Sequence, residues 1–170
     1  MKNLILLLAA AILPAANTSV IFDPANPANG PYPSDVLTVP DASQKTGRRV
    51  NLPTPDCTAD RFTCVVLPAL NRFDGFNLQP RIRVRFSAPI NPDTLRDGIF
   101  FVVLDNLTNE EFGLGKTGDV IPINEVVYDP ATNAAFAKPD SFLDQHRRFA
   151  LVITNAVKDA AGDPILAGQC

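Results

Sequence analysis

The chain is poor in the residues that carry most protein chemistry. It has no tryptophan, one histidine, one methionine and three cysteines among 170 residues. With a single His and no Cys-x-x-Cys, the usual donor set for a bound zinc ion is missing. No Gly-x-Ser-x-Gly occurs, so the nucleophile turn of a serine hydrolase is missing too. There is no excess of positive charge: 15 Lys and Arg face 18 Asp and Glu, for a net charge of −3 and a pI near 5.0. That excludes a basic nucleic-acid-binding surface as the main feature. No apolar run is long enough to span a bilayer stably, because the longest, Leu4 to Leu13, falls well short. What the chain does have is apolar content of 46%, which excludes global disorder, and 16 prolines, which exclude a mostly helical fold.

The N-terminus reads as a signal peptide over residues 1–19. Lys2 supplies the positive end, Leu4 to Leu13 the apolar run, and Pro14, Ala15 and Ala16 a break with small residues that puts cleavage near Ala16. No Cys follows the run, which argues against a lipid anchor. Residues 20–77 form a Pro-rich extended arm with anchoring apolar residues at Val36, Leu37 and Val39. Cys57 and Cys64 lie seven positions apart within it and are placed to close a small disulfide loop in an oxidising compartment. Such a loop contributes about 2–3 kcal/mol if unstrained. Leu67, Leu70 and Phe73 have the spacing of one helical face. Cys170 is left over at the end of the chain, and with the signal segment it leads to the expectation that this is the N-terminal part of a longer exported protein.

From residue 78 the texture changes. Arg81-Ile82-Arg83-Val84-Arg85-Phe86 alternates strictly, which puts Ile82, Val84 and Phe86 on one face of a strand and three arginines on the other. Asn91 or Asp93 caps a short turn through Leu95. The continuous apolar stretch Ile99 to Leu104 reads as a strand covered on both faces. Val120 to Ile123 and Glu125 to Tyr128 read as two short strands, with Pro122 at an edge or bulge. Asp129 to Asn133 is a turn before a strand at Ala134 to Ala137. Arg148 to Thr154 is the last strand, and Asp159 to Pro164 a closing turn. Short strands at intervals of about ten residues predict an all-β sandwich or barrel over residues 78–170.

The two ends of this region carry a resemblance. Arg83-Val84-Arg85-Phe86-Ser87-Ala88-Pro89-Ile90-Asn91-Pro92-Asp93-Thr94-Leu95 resembles the opening strand and capped turn of bacterial Ig-like domains of the surface-layer-protein type. Arg148 to Thr154, with the turn Asp159-Ala160-Ala161-Gly162-Asp163, is similar to that family's last strand and closing turn, although Asp163 stands where Asn is commoner. The resemblance covers about residues 78–166. It implies an immunoglobulin-like antiparallel β-sandwich of seven strands without chemistry of its own. In the arm, Phe22-Asp23-Pro24 and Pro31-Tyr32-Pro33-Ser34-Asp35-Val36-Leu37 resemble the N-terminal domain of bacterial virulence-factor lipases. Tyr32 and Ser34 depart from that pattern, and no catalytic residue is carried over.

Five candidate sites remain. His146 is the sole general base on offer, in a segment that reads as an exposed loop. Gly113-Leu114-Gly115-Lys116-Thr117-Gly118 spells a dinucleotide fingerprint, but Asp119-Val120-Ile121-Pro122 after it is no helix, so a hairpin loop is expected. Asp93, Asp97, Asp105, Asp159 and Asp163 are oxygen donors without a known calcium-loop spacing, and read as turn formers. Asn106-Leu107-Thr108 is a glycosylation sequon, of little meaning if the source is bacterial. Arg81, Arg83 and Arg85 form a stripe that reads either as an anion-binding face or as a solvated face paired with acids. The expectation is therefore a non-enzymatic module with no catalytic, cofactor or metal residues. It would act as a spacer or binder for a downstream domain or a surface partner, as the accessory domain of a lipase or esterase, or as a glycan-binding adhesin domain. Export and no nucleic-acid partner follow from the same reading.

Overall fold

The computed structural model describes residues 18–106 and 115–166. The apolar run Leu4–Leu13, the sequon residues Leu107 and Thr108, Gly113 and Leu114 of the glycine motif, and Cys170 lie outside the described residues.

The arm is more ordered than its prolines suggest. After a 3₁₀ turn at Asp35–Leu37 it forms a ribbon of β1 (Thr38–Pro40) and β2 (Arg48–Val50), followed by helix α1 (Arg61–Leu70). Asp60 caps α1 by accepting from the Thr63 amide at 3.0 Å. Pro68 removes one helical donor, and the helix stops two residues later. The end is tied back to β2: Asn71 accepts from the Leu52 amide at 2.8 Å and donates to the Leu52 carbonyl at 3.2 Å. Leu37, Val50 and Leu67 are buried. Of the residues expected on one helical face, Leu67 alone is buried; Leu70 and Phe73 are exposed, and Phe73 lies past the end of the helix.

The principal sheet contains β3 (Ile82–Arg85), β4 (Ile99–Asn106), β5 (Val120–Asp129), β6 (Ala134–Pro139) and β7 (Arg147–Ile153) in the order β3-β6-β5-β4-β7, all antiparallel. Strand β5 serves two partners. Val120 to Pro122 pair with β4, and Ile123 to Asp129 with β6. The register breaks between Asn124 and Val127, where Glu125 adopts a left-handed φ of 46°. The stretches read as two strands are thus one, kinked where it changes partner, with Pro122 at the end of the β4 pairing. Both halves bury their inner faces in one core: Ile82, Val84, Phe86, Ala135 and Ala137 from one side, Ile99, Phe101 and Ile123 from the other, with Phe149, Leu151 and Ile153 packed against it. This is an Ig-like β-sandwich, mostly β.

Two expectations need correction. Among the described residues the sandwich has five strands rather than seven, and further pairing is reduced to single bridges such as Ile90 with Asp159. Strand β4 is also not covered on both faces: Ile99, Phe101 and Val103 point inward, whereas Leu104 on the other face is 41% exposed. On that other face Phe100 and Val102 are half-buried, so its apolar run is fully covered on one side and partly on the other. Before β4, Asn91 accepts from the Asp93 amide at 3.1 Å, and Pro92–Thr94 and α2 (Leu95–Gly98) bring Leu95 into the core.

Candidate functional site at the arm and sheet junction

The outer edge of β3 is where the chemistry-bearing residues meet the arm. A strand edge offers unpaired amides and carbonyls to any passing chain. Here the arm takes them. The Ile21 amide donates to the Arg85 carbonyl at 2.9 Å, the Ser87 amide to the Ser19 carbonyl at 2.9 Å, and Tyr32 and Arg83 exchange bonds of 3.0 and 2.8 Å. Between these contacts the chain loops out through residues 22–31. Asp23 accepts from the Ala25 and Asn26 amides, and turn bonds follow from Asn29 to Asn26 and from Gly30 to Pro27. Thr18 is buried, and its carbonyl accepts from the Leu166 amide at 2.8 Å.

The arginine stripe is divided by this loop. Arg83 Nη2 donates to the Ala28 carbonyl at 2.7 Å and to that of Gly30 at 3.5 Å, and Arg85 Nη1 donates to Asn29 Oδ1 at 3.0 Å. Arg81 lies apart, exposed, 3.7 Å from Glu125 Oε2, which also meets Lys138 Nζ at 2.7 Å. The three arginines therefore do not share one open face: two hold the arm loop and one joins a surface ion pair. Arg83→Met is expected to lower stability by about 1.5–3 kcal/mol, the range for hydrogen bonds to charged groups, and to open residues 24–30 to limited proteolysis. Arg81→Met is expected to shift stability by less than about 1 kcal/mol, as exposed pairs do. Denaturant titrations of the two variants side by side check both.

Cys57 and Cys64 are joined by a disulfide with a Cα–Cα distance of 5.7 Å, and the bridge encloses the N-cap of α1. His146, at a left-handed φ of 53°, lies 3.9 Å from Asp74 Oδ2 through its Nε2. Asp74 also accepts from the Lys45 amide at 3.0 Å, from the Thr46 amide at 3.1 Å and from the Thr46 hydroxyl. The pair links the β1–β2 loop to the turn before β7. No nucleophile completes it among the described residues.

The remaining candidates shape turns. Asp159 is buried, and its Oδ1 accepts from the Ala161 and Asp163 amides, both at 2.9 Å. Asp93, Asp97, Asp105 and Asp163 do not converge with it, and no cluster of metal-ligating side chains occurs among the described residues. Gly118, at φ 92°, sits in a turn where Asp119 accepts from the Lys116 amide at 2.7 Å. β5 follows directly, so no helix N-terminus is aimed at this loop. Among the described residues no helix is long and apolar enough to cross a membrane.

Several carboxylates are held ionised by local donors. The Thr132 hydroxyl, 2.6 Å from Asp129, and the Thr58 hydroxyl, 2.7 Å from Asp56, hold those carboxyls below the ordinary 3.8, and Lys138 holds Glu125 below 4.5. Folded values below unfolded ones mean stability that is complete above the ordinary values and lost as pH falls through the lowered ones. Acid melting curves are expected to lose this contribution only below about pH 4.5, and Asp129→Asn to flatten the loss.

Sequence reasoning missed three features here: the Ala28–Gly30 carbonyls as partners of the arginines, Asp74 as a hub, and the outward face of α1. Only the last left a periodic signal, Phe62, Val65 and Ala69 at i, i+3 and i+7.

The family model of the bacterial Ig-like domain matches residues 65–169. The match begins inside α1 and leaves out the segment that closes the β3 edge. The comparisons with curated proteins and with solved structures find no match.

Proposed function

Since the chain belongs to the family of bacterial Ig-like domains, we propose that it is a non-catalytic structural or binding module of an exported bacterial surface or extracellular protein, its arm built in as the last strand of its sheet. The observation that carries this reading is the bonding of Arg83 and Arg85 to arm carbonyls and the Asn29 side chain. Residues that would serve an anion site hold the module together instead. The disulfide and the apolar N-terminal run support export. Cleavage near Ala16 would leave Thr18 and Ser19, which bond to Leu166 and Ser87, in the exported chain. The mass of the exported chain should correspond to a start at or near Asn17. Purified chain should leave chromogenic esters intact over a long incubation. Turnover that disappears in His146→Ala would overturn the non-catalytic reading.

A second reading makes the module accessory to an exported lipase or esterase. The arm motif from Phe22 to Leu37 favours it, since these residues build the turn at Asp23 and the buried Leu37. Reading the gene beyond the Cys170 codon decides between this and a stalk: a hydrolase domain supports the accessory role, and further Ig-like repeats support the stalk.

A further inference from the structure

Helix α1 turns an apolar face outward. Leu67 is buried, and on the opposite side of the helix Phe62 is 77% exposed and Val65 73%, with Ala69 on the same stripe. Phe73, just past the helix end, is 56% exposed. A helix that packs on its own fold normally shows polar residues outward. Here the outward residues are apolar, and the two charges within residues 61–73, Arg61 and Arg72, are both positive, with Asp60 and Asp74 at the two ends of the stretch. Arg61 and Arg72 flank the stripe, both exposed and neither in an ion pair among the described residues, and no acid lies between Asp60 and Asp74 in the sequence. Asp60 itself is engaged at the N-cap. The disulfide pins the helix start, so the face is presented in a fixed orientation.

We infer that α1 docks the module on an anionic lipid surface. Phe62, Val65 and Phe73 enter the headgroup and acyl boundary, and Arg61 and Arg72 meet lipid phosphates. Size favours this occupant over a second copy of the chain. Two phenylalanines of roughly 200 Å² each, with Val65 and Leu70, expose far less than the ~800 Å² per partner of a stable protein interface. Shallow insertion needs only such a few side chains. The inference goes beyond the module reading and its test reads α1 alone.

The absence of tryptophan supplies the probe. In Phe62→Trp, checked for an unchanged far-UV spectrum, the single indole reports on this face. With phosphatidylglycerol vesicles its emission is expected to move to shorter wavelength, and with phosphatidylcholine vesicles to move little. Adding Val65→Ser, or replacing Arg61 and Arg72 by Gln, is expected to weaken binding roughly tenfold. No shift with anionic vesicles overturns the inference, as does an equal shift with neutral ones. A shift that follows protein concentration without vesicles overturns it in favour of a second copy.

Discussion

Replacing Phe86 by alanine is expected to lower stability by about 3–5 kcal/mol, the usual cost of emptying a buried phenylalanine site. Phe86 is 1% exposed and is the largest of the fully buried side chains. Its backbone also joins three parts of the fold. The Phe86 amide donates to the Asn133 carbonyl at 2.9 Å, in the turn before β6, and Val20 of the arm bridges to Phe86 from the other side. A cavity here is lined by both halves of the core, so neither can close it without moving a strand. Domains of this size are stable by about 5–15 kcal/mol, so the variant should sit near its unfolding midpoint on mild warming. Chemical denaturation measures the change. Phe86→Leu, which keeps most of the volume, should cost much less; equal losses in the two variants would mean that packing at this site is not what counts.

The second large effect is expected at Gly98, at the end of α2. A Cβ built there comes within 2.8 Å of the Val157 amide nitrogen and 3.3 Å of its Cα, and also strikes a Val157 methyl. Gly98 is required for space, since its φ is not in the left-handed region. Nothing nearby yields easily. Val157 is fully buried, its amide donates to Thr154 at 3.2 Å, and the Thr154 amide donates to the Gly98 carbonyl at 2.8 Å. Gly98→Ala is therefore expected to cost about 3 kcal/mol, the upper end for overpacking, because main chain and not a flexible side chain has to shift. Gly118→Ala is a useful contrast. Its φ of 92° is strained for alanine, but its surroundings are open, and the cost should stay near 1–2 kcal/mol. Thermal melts of both variants test the order, and a smaller effect at Gly98 than at Gly118 would contradict it.

Residues with a strong period were legible in the sequence. The alternation from Arg81 to Phe86 placed Ile82, Val84 and Phe86 in the core, and the same period placed Phe149, Leu151 and Ile153 against it. Turns with their own side-chain acceptors were legible too, as at Asn91 and Asp129. Properties set by partners far away in sequence were not. The apolar run of β4 could not reveal that one of its faces is fully buried and the other only half-buried. The kink at Glu125 follows from β5 changing partner, and its left-handed φ falls on a residue that carries no turn signal. The arginine stripe was visible, but its partners lie 53 to 56 positions upstream in a loop that looked like punctuation. The arm's many prolines hid the extent of α1, of which a single helical face at Leu67 to Phe73 was legible; its start is set by Asp60 and its one buried residue is Leu67.

Amide hydrogen exchange on the native chain tests most directly whether the arm is part of the sandwich. The Ile21 and Tyr32 amides, bonded to the Arg85 and Arg83 carbonyls, are the positions to follow. They are expected to be protected to the same degree as the Phe86 amide, which donates to the Asn133 carbonyl on the side away from the arm, and to lose that protection together in Phe86→Ala. Exchange of Ile21 and Tyr32 at loop rates, with Phe86 still protected, would show an arm that merely lies on the module and would contradict its role as the closing strand.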